Sequence, residues 1–223
     1  MENTNVQKHK KTGDLFDNVW TIPNLLSALR IIMVPIIAVL FLKGETVWAV
    51  VVLALSGLSD FFDGKIARRF NQISALGKIL DPIADKLTQI TLAVVLFYVF
   101  FRAENESIHA FAWVFLLFVA KELIMLIGGA VMLAFEIRPG AAELPGKVAT
   151  MVFYVVMVLV VAFGPEVGAF RDTLFTLPEV VMKVLVVISV ILTFVAFAFY
   201  LPGTFRQFKE RFAQKKENKG KAK

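Results

Sequence analysis

The chain has 223 residues, 58% of them hydrophobic with 22 Phe, and a formal net charge of +6. A soluble domain is nearer half apolar, and the excess here lies in runs long enough to cross a bilayer core, which takes about 20 residues per helix. Without Cys, the chain has no disulfide framework, thiolate nucleophile or cysteine metal site.

The first 20 residues are polar and include Lys8, His9, Lys10 and Lys11. They contain no short apolar region followed by a small-residue cleavage site, so the first span is expected to act as its own insertion signal. The stretch GDLFDNVW is expected to lie along the membrane interface, anchored by Phe16 and Trp20.

Six apolar segments follow, at 22–42, 46–66, 80–101, 108–135, 147–163 and 178–200. Each reads as a helix, which satisfies its own backbone groups in lipid. The fourth is long and is expected to tilt or extend beyond the lipid. The joins are polar or carry breakers, as at Lys43-Gly44-Glu45, Arg138-Pro139-Gly140 and Gly164-Pro165-Glu166. The expected fold is an all-α polytopic membrane protein. Six transmembrane helices form one bundle over residues 21–201, between a polar tail (1–20) and a basic tail (202–223).

Lysine and arginine set the orientation. With an even number of spans, both termini share a side. That side holds seventeen basic residues, from the N-tail, Lys65 to Lys78, Arg138, Lys147 and the stretch after Pro202. The other side holds Lys43, Arg102 and Arg171. Both termini, and the loop after the second span, are therefore expected in the cytoplasm. The C-tail places Phe205, Phe208 and Phe212 at helical spacing among basic residues. It reads either as an attachment to anionic lipid headgroups or as an ordinary positive-inside tail.

Residues 60–85 read DFFDGKIARRFNQISALGKILDPIAD. Asp60 and Asp63 are three apart and share a helix face, as do Asp81 and Asp85, four apart. If the second and third helices pack antiparallel, the four carboxylates converge. Four such groups repel one another, and bound divalent cations remove the repulsion. Oxygen ligands without Cys or His favour Mg2+, Mn2+ or Ca2+. Two ions about 3.5–4 Å apart are the usual arrangement for displacement at phosphorus. The neighbours suit a phosphate substrate. Gly64 and Ala67 let a ligand approach the backbone, Arg68 offers phosphate a two-pronged contact, and Gly77 opens space on the facing segment. Pro82 suits the first turn of a helix or a kink.

The pattern Asp60-x2-Asp63-Gly64-x2-Ala67-Arg68-x8-Gly77-x3-Asp81-x3-Asp85 resembles the signature of the CDP-alcohol phosphotransferase family at every position, and the resemblance runs from about Trp20 to Thr150. It implies six helices and a reaction in which an acceptor hydroxyl attacks the lipid-side phosphorus of CDP-diacylglycerol, releasing CMP. It implies Mg2+ or Mn2+, as two ions held by Asp60, Asp63 and Asp81. Asp85 would be the general base and would also touch the second metal. Gly64, Ala67 and Arg68 would line the CMP site, with Gly77 beside them.

The acceptor is read from other stretches. WTIPNLLSALR, residues 20–30, is similar to openings of phosphatidylglycerophosphate synthases and cardiolipin synthases in this family. In it Asn24 either reaches the nucleotide or caps a helix. Arg30 faces either an acceptor phosphate or a bundle carboxylate such as Glu122. PGKVAT, residues 145–150, resembles the phosphatidylglycerophosphate synthase branch, with Lys147 placed to meet a glycerol phosphate or to anchor the span. Arg138 joins these as a candidate acceptor contact. That branch usually carries Arg-Glu and then Gly-Leu-Arg in the fourth span. Here stand Lys121-Glu122 and Ile127-Gly128-Gly129, a stretch as similar to the cardiolipin synthase branch. Lys121 lies about 22 Å from the end of its span at ~1.5 Å per residue, deep enough to be expected in a structural pair with Glu122 or another helix.

The leading acceptor is glycerol 3-phosphate, giving phosphatidylglycerophosphate; the alternative is phosphatidylglycerol, giving cardiolipin. A cation transporter is the competing class, and a non-catalytic scaffold a third. No nucleic-acid partner is expected. Gly128, Gly129 and Ala130 permit close helix contact, within the chain or in a homodimer. The expected location is the cytoplasmic membrane, with the active site on its cytoplasmic side.

Overall fold

The first span shows how these runs fold. Thr21 caps it, its Oγ1 accepting the Asn24 amide at 3.3 Å, and Pro23 sits in the first turn, where a missing amide costs nothing. Asn24, Ser27, Arg30, Val34 and Ile37 are buried, whereas Leu25, Leu29, Ile32 and Ile36 are exposed. Polar groups face inward and large apolar groups outward, the reverse of a helix on a water-soluble protein and the pattern suited to hydrocarbon surroundings.

The computed structural model describes residues 21–69, 74, 76–135, 137, 144–171, 173 and 175–221. Among them the regular elements are all helices: α1 (Ile22–Leu42), α2 (Thr46–Arg69), α3 (Gly77–Phe101), α4 (Glu106–Phe111), α5 (Trp113–Ala134), α6 (Leu144–Phe163) and α7 (Glu179–Lys221). The tail before Thr21, with Phe16 and Trp20, lies outside the described residues. The tight α1–α2 join turns at Gly44, whose φ of 78° lies in the left-handed region.

Among the described residues five stretches are long and apolar enough to cross a membrane: Ile22–Leu42, Leu80–Phe101, Glu106–Met132, Pro145–Phe163 and Glu179–Arg211. Six were expected. The missing one is α2, whose apolar part is only Thr46–Asp60. The helix itself continues, but from Asp60 onward half of its residues are charged. The fourth segment is broken at Ala112 into α4 and α5. Asn105 caps α4 by accepting the Ser107 and Ile108 amides at 2.9 and 3.3 Å. α3 starts three residues before the expected position 80, so Pro82 lies inside the helix rather than in its first turn.

α7 runs well past the expected end near 200 and carries Pro202 inside it. Beyond that proline Thr204 Oγ1 donates to the Tyr200 carbonyl at 3.1 Å, and Phe208 meets Phe135 edge-on at 6.1 Å. Phe208 is therefore seated on the end of α5, while Phe205 is exposed. The side chain of Phe212 lies outside the described residues.

α1 packs on α2 and α3, α3 on α5, and α6 on α7. Phe41, Leu53, Leu96, Phe115, Phe153 and Val186 belong to one continuous core. Phe118 and Phe153 stack at 3.8 Å and join α5 to α6. Gly57 decides how α6 meets α2. A Cβ there would lie 2.7 Å from the Tyr154 hydroxyl, which instead reaches across and donates to the Leu53 carbonyl at 2.7 Å. A Cβ on Gly128 or Gly129 would meet nothing within 4 Å. The close contact these glycines permit is not made with any of the described residues.

Candidate active site

Asn24, Ser27 and Arg30 recur every three residues and form a stripe on the buried face of α1. The stripe meets the end of α2 and the start of α3. The Arg30 guanidinium, 2% exposed, bridges the two helices: Nη2 lies 2.8 Å from Asp60 Oδ1 and Nη1 lies 2.5 Å from Asp85 Oδ1. One turn earlier on α1, Ser27 Oγ donates to Asp81 Oδ1 and lies 3.0 Å from the Pro23 carbonyl. The registers match: two α1 positions three apart meet two α3 positions four apart. Asp60 and Asp85 are 51% and 40% exposed. The cluster is thus closed on the α1 side and open opposite. Among the described residues two carboxylates meet the one guanidinium, and a third meets Ser27 one turn away.

The start of α3 is built on the same stripe. The Gly77 amide donates to Ser74 Oγ at 2.8 Å, and Ser74 Oγ donates to Asn24 Oδ1 at 2.8 Å. A Cβ on Gly77 would lie 2.5 Å from Asn24 Oδ1. The space that Gly77 opens is therefore filled by Asn24. Nor is Asn24 the cap of α1, a role held by Thr21.

A second ionic group lies beside the first. Lys86 Nζ is 2.5 Å from Glu122 Oε2, and Lys121 Nζ contacts Glu122 Oε1. Lys121 also lies 5.1 Å from the Phe118 ring centroid, a cation–π distance. Pairing of Arg30 with Glu122 is thereby ruled out: Glu122 is held by two lysines, and Arg30 by Asp60 and Asp85. Lys147 stands exposed near the start of α6. Arg138 lies outside the described residues. So do the side chains of Asp63, Ala67 and Arg68 and the surroundings of Gly64, although α2 carries their backbone. The sequence reading missed Ser27, Ser74 and Lys86. For Ser27 the signal was present, as a polar residue every third position in an otherwise apolar run.

Among the described residues no three potential ligands already surround one point as a metal site. Asp60, Asp81 and Asp85 nevertheless meet α1 within one turn of it, and Asp63 follows Asp60 by three residues on α2. All four are hard oxygen donors, so in kind the set fits Mg2+ or Mn2+.

The family model for CDP-alcohol phosphatidyltransferase matches residues 20–201. A cardiolipin synthase (CMP-forming) of Streptomyces coelicolor is 39% identical over 140 residues, covering 60% of this chain and 61% of that protein. The Homo sapiens protein of the same name is 48% identical over 88 residues, covering 39% and 29%. The chain thus spans less than two thirds of either relative. A CDP-diacylglycerol--glycerol-3-phosphate 3-phosphatidyltransferase of Aquifex aeolicus is 31% identical over 168 residues, covering 75% of this chain and 90% of that protein. The matched region contains the whole acidic cluster, and nothing in these likenesses supports the transporter or scaffold readings. With most of its length and every one of its signature positions inside the match, the chain belongs to the CDP-alcohol phosphatidyltransferase family.

Proposed function

We propose that the protein is a phosphatidyltransferase that moves the phosphatidyl group of CDP-diacylglycerol to glycerol 3-phosphate, giving phosphatidylglycerophosphate and CMP. The observation that carries this reading is the convergence of Asp60, Asp81 and Asp85 on Ser27 and Arg30. Asp60, Asp63 and Asp81 are the ligands for two Mg2+ or Mn2+ ions, which when bound supply positive charge to the diphosphate and to the departing CMP. Asp85 takes the proton of the acceptor hydroxyl as its oxygen bonds to the lipid-side phosphorus. The bond from that phosphorus to the bridging oxygen breaks, and CMP leaves with the electron pair. Gly64, Ala67 and Arg68 line the nucleotide site, with Asn24 and Gly77 fixing the start of α3 beside it.

The same reading includes α2 as a sixth span and places both termini and the cluster on the cytoplasmic side of the cytoplasmic membrane. The excess of basic residues on that side supports it. So does the position of Asp60 at the end of the apolar part of α2. With six spans, α6 runs opposite to α2. Tyr154 then fixes the register at Leu53, and Lys147, seven residues earlier, lies about 10 Å nearer the cytoplasm at ~1.5 Å per residue. That is about the level of Asp60 to Gly64, where an acceptor phosphate would sit. The basic end of α7 attaches to anionic headgroups.

Phosphatidylglycerol as acceptor is the second reading, favoured by Ile127-Gly128-Gly129 and by the Streptomyces relative. The test supplies purified protein with labelled CDP-diacylglycerol, Mg2+ or Mn2+, and each acceptor separately. Phosphatidylglycerophosphate is the expected product. Cardiolipin from phosphatidylglycerol, with no reaction of glycerol 3-phosphate, replaces the first reading by the second. No CMP with either acceptor overturns both.

A further inference from the structure

We infer that Arg30 is a built-in counter-cation that stands in for the divalent ions, holding Asp60 and Asp85 together when no ion is bound and sharing them when ions arrive. The inference rests on the proposed metal-dependent function and assigns Arg30 to positioning rather than to the acceptor. Arg30 lies in an apolar run and is 2% exposed, and desolvating a cation there is costly without compensation. Its compensation is specific. Two separate Nη atoms engage carboxylates from two different helices, at 2.8 and 2.5 Å. A planar guanidinium spans such a pair; a lysine ammonium is a single point charge and suits it less well.

Two consequences follow from charge. Without ions, removing Arg30 leaves neighbouring carboxylates to repel one another, and the α2–α3 end loosens. With ions, the same removal takes away a cation close to the metal, so ions bind more tightly and restore more stability. A residue that served only to join helices would lower stability equally with and without metal.

The test is thermal unfolding of the purified, detergent-solubilised chain, read in chelator and across a Mn2+ titration, for wild type, Arg30→Gln and Arg30→Lys. In chelator Arg30→Gln is expected to melt about 5 °C below wild type. Mn2+ then raises its melting temperature by more than it raises that of wild type, with half-saturation at about tenfold lower Mn2+. Arg30→Lys falls between the two. Equal melting in chelator, or a Mn2+ gain no larger than that of wild type, overturns the inference. If Arg30→Gln does not accumulate, the same two readings on Arg30→Lys decide. CMP release by wild type is read alongside. An active wild type whose Arg30 variants respond to Mn2+ as it does overturns this inference and leaves the proposed function standing. An inactive wild type whose variants show both expected shifts does the reverse.

Discussion

Asp85 and Lys86 are adjacent on α3, yet they belong to ionic groups built on opposite plans. Around Asp85, carboxylates outnumber cations among the described residues, three helices contribute, and Asp60 and Asp85 are 51% and 40% exposed. Around Lys86, two ammonium groups hold one carboxylate, and Glu122 and Lys121 are 1% and 4% exposed. In the second group the buried carboxylate of Glu122 has two cationic partners, of which Lys86 is 24% exposed. In the first, the described carboxylates exceed the internal cation and part of their charge faces outward. The difference separates a helix fastener from a binding site more sharply than the mere presence of charged residues in a membrane does.

The sharpest break in that comparison is Asp85→Asn. Losing the base is expected to lower CMP release by about 10^3-fold, while Mn2+ and CDP-lipid binding stay within a few fold. A variant with near-normal turnover removes Asp85 from that role.

Next is Glu122→Ala, which strands two lysines between α3 and α5. Breaking a buried pair costs about 3–5 kcal/mol, or roughly 10 °C in melting temperature for a chain of this size. Protein kept cool retains turnover. Unchanged melting with lost activity would place Glu122 in the chemistry instead.

Asp60→Asn acts on the open group and is expected to raise the Mg2+ concentration for half-maximal rate by about tenfold. A metal titration identical to wild type argues against ligation. The smallest effect belongs to Lys147→Ala, an exposed cation at the proposed rim. It is expected to raise KM for glycerol 3-phosphate about fivefold with kcat kept. An unchanged KM takes Lys147 out of acceptor binding.

The two groups also differ in how much the sequence revealed. The spacing of Asp60, Asp63, Asp81 and Asp85 is local to two helices, so helical periodicity alone brings each pair to a face. The stripe of Asn24, Ser27 and Arg30 is local too, although only Asn24 and Arg30 were picked out. Which cation meets which carboxylate is not local. Glu122 had Arg30 and Lys121 as candidate partners while Lys86 was missed, and the choice depends on the sliding register of α1, α3 and α5, which packing of apolar side chains decides. The break at Ala112 and the passage of α7 through Pro202 have similar causes. Propensity marks one as helix and the other as a stop; at the second, the seat of Phe208 on Phe135 prevails. α2 shows the converse. Its helix was legible, while its standing as a span is obscured by the very aspartates that give it a use.

The most direct measurement is anomalous scattering from Mn2+ in crystals of the protein soaked with a CDP-linked lipid. Two peaks within ligating distance of Asp60, Asp63, Asp81 and Asp85, beside the diphosphate, are the expected result. Peaks only elsewhere, or a CDP-lipid bound away from these aspartates, would contradict the assignment of the open cluster as the catalytic centre.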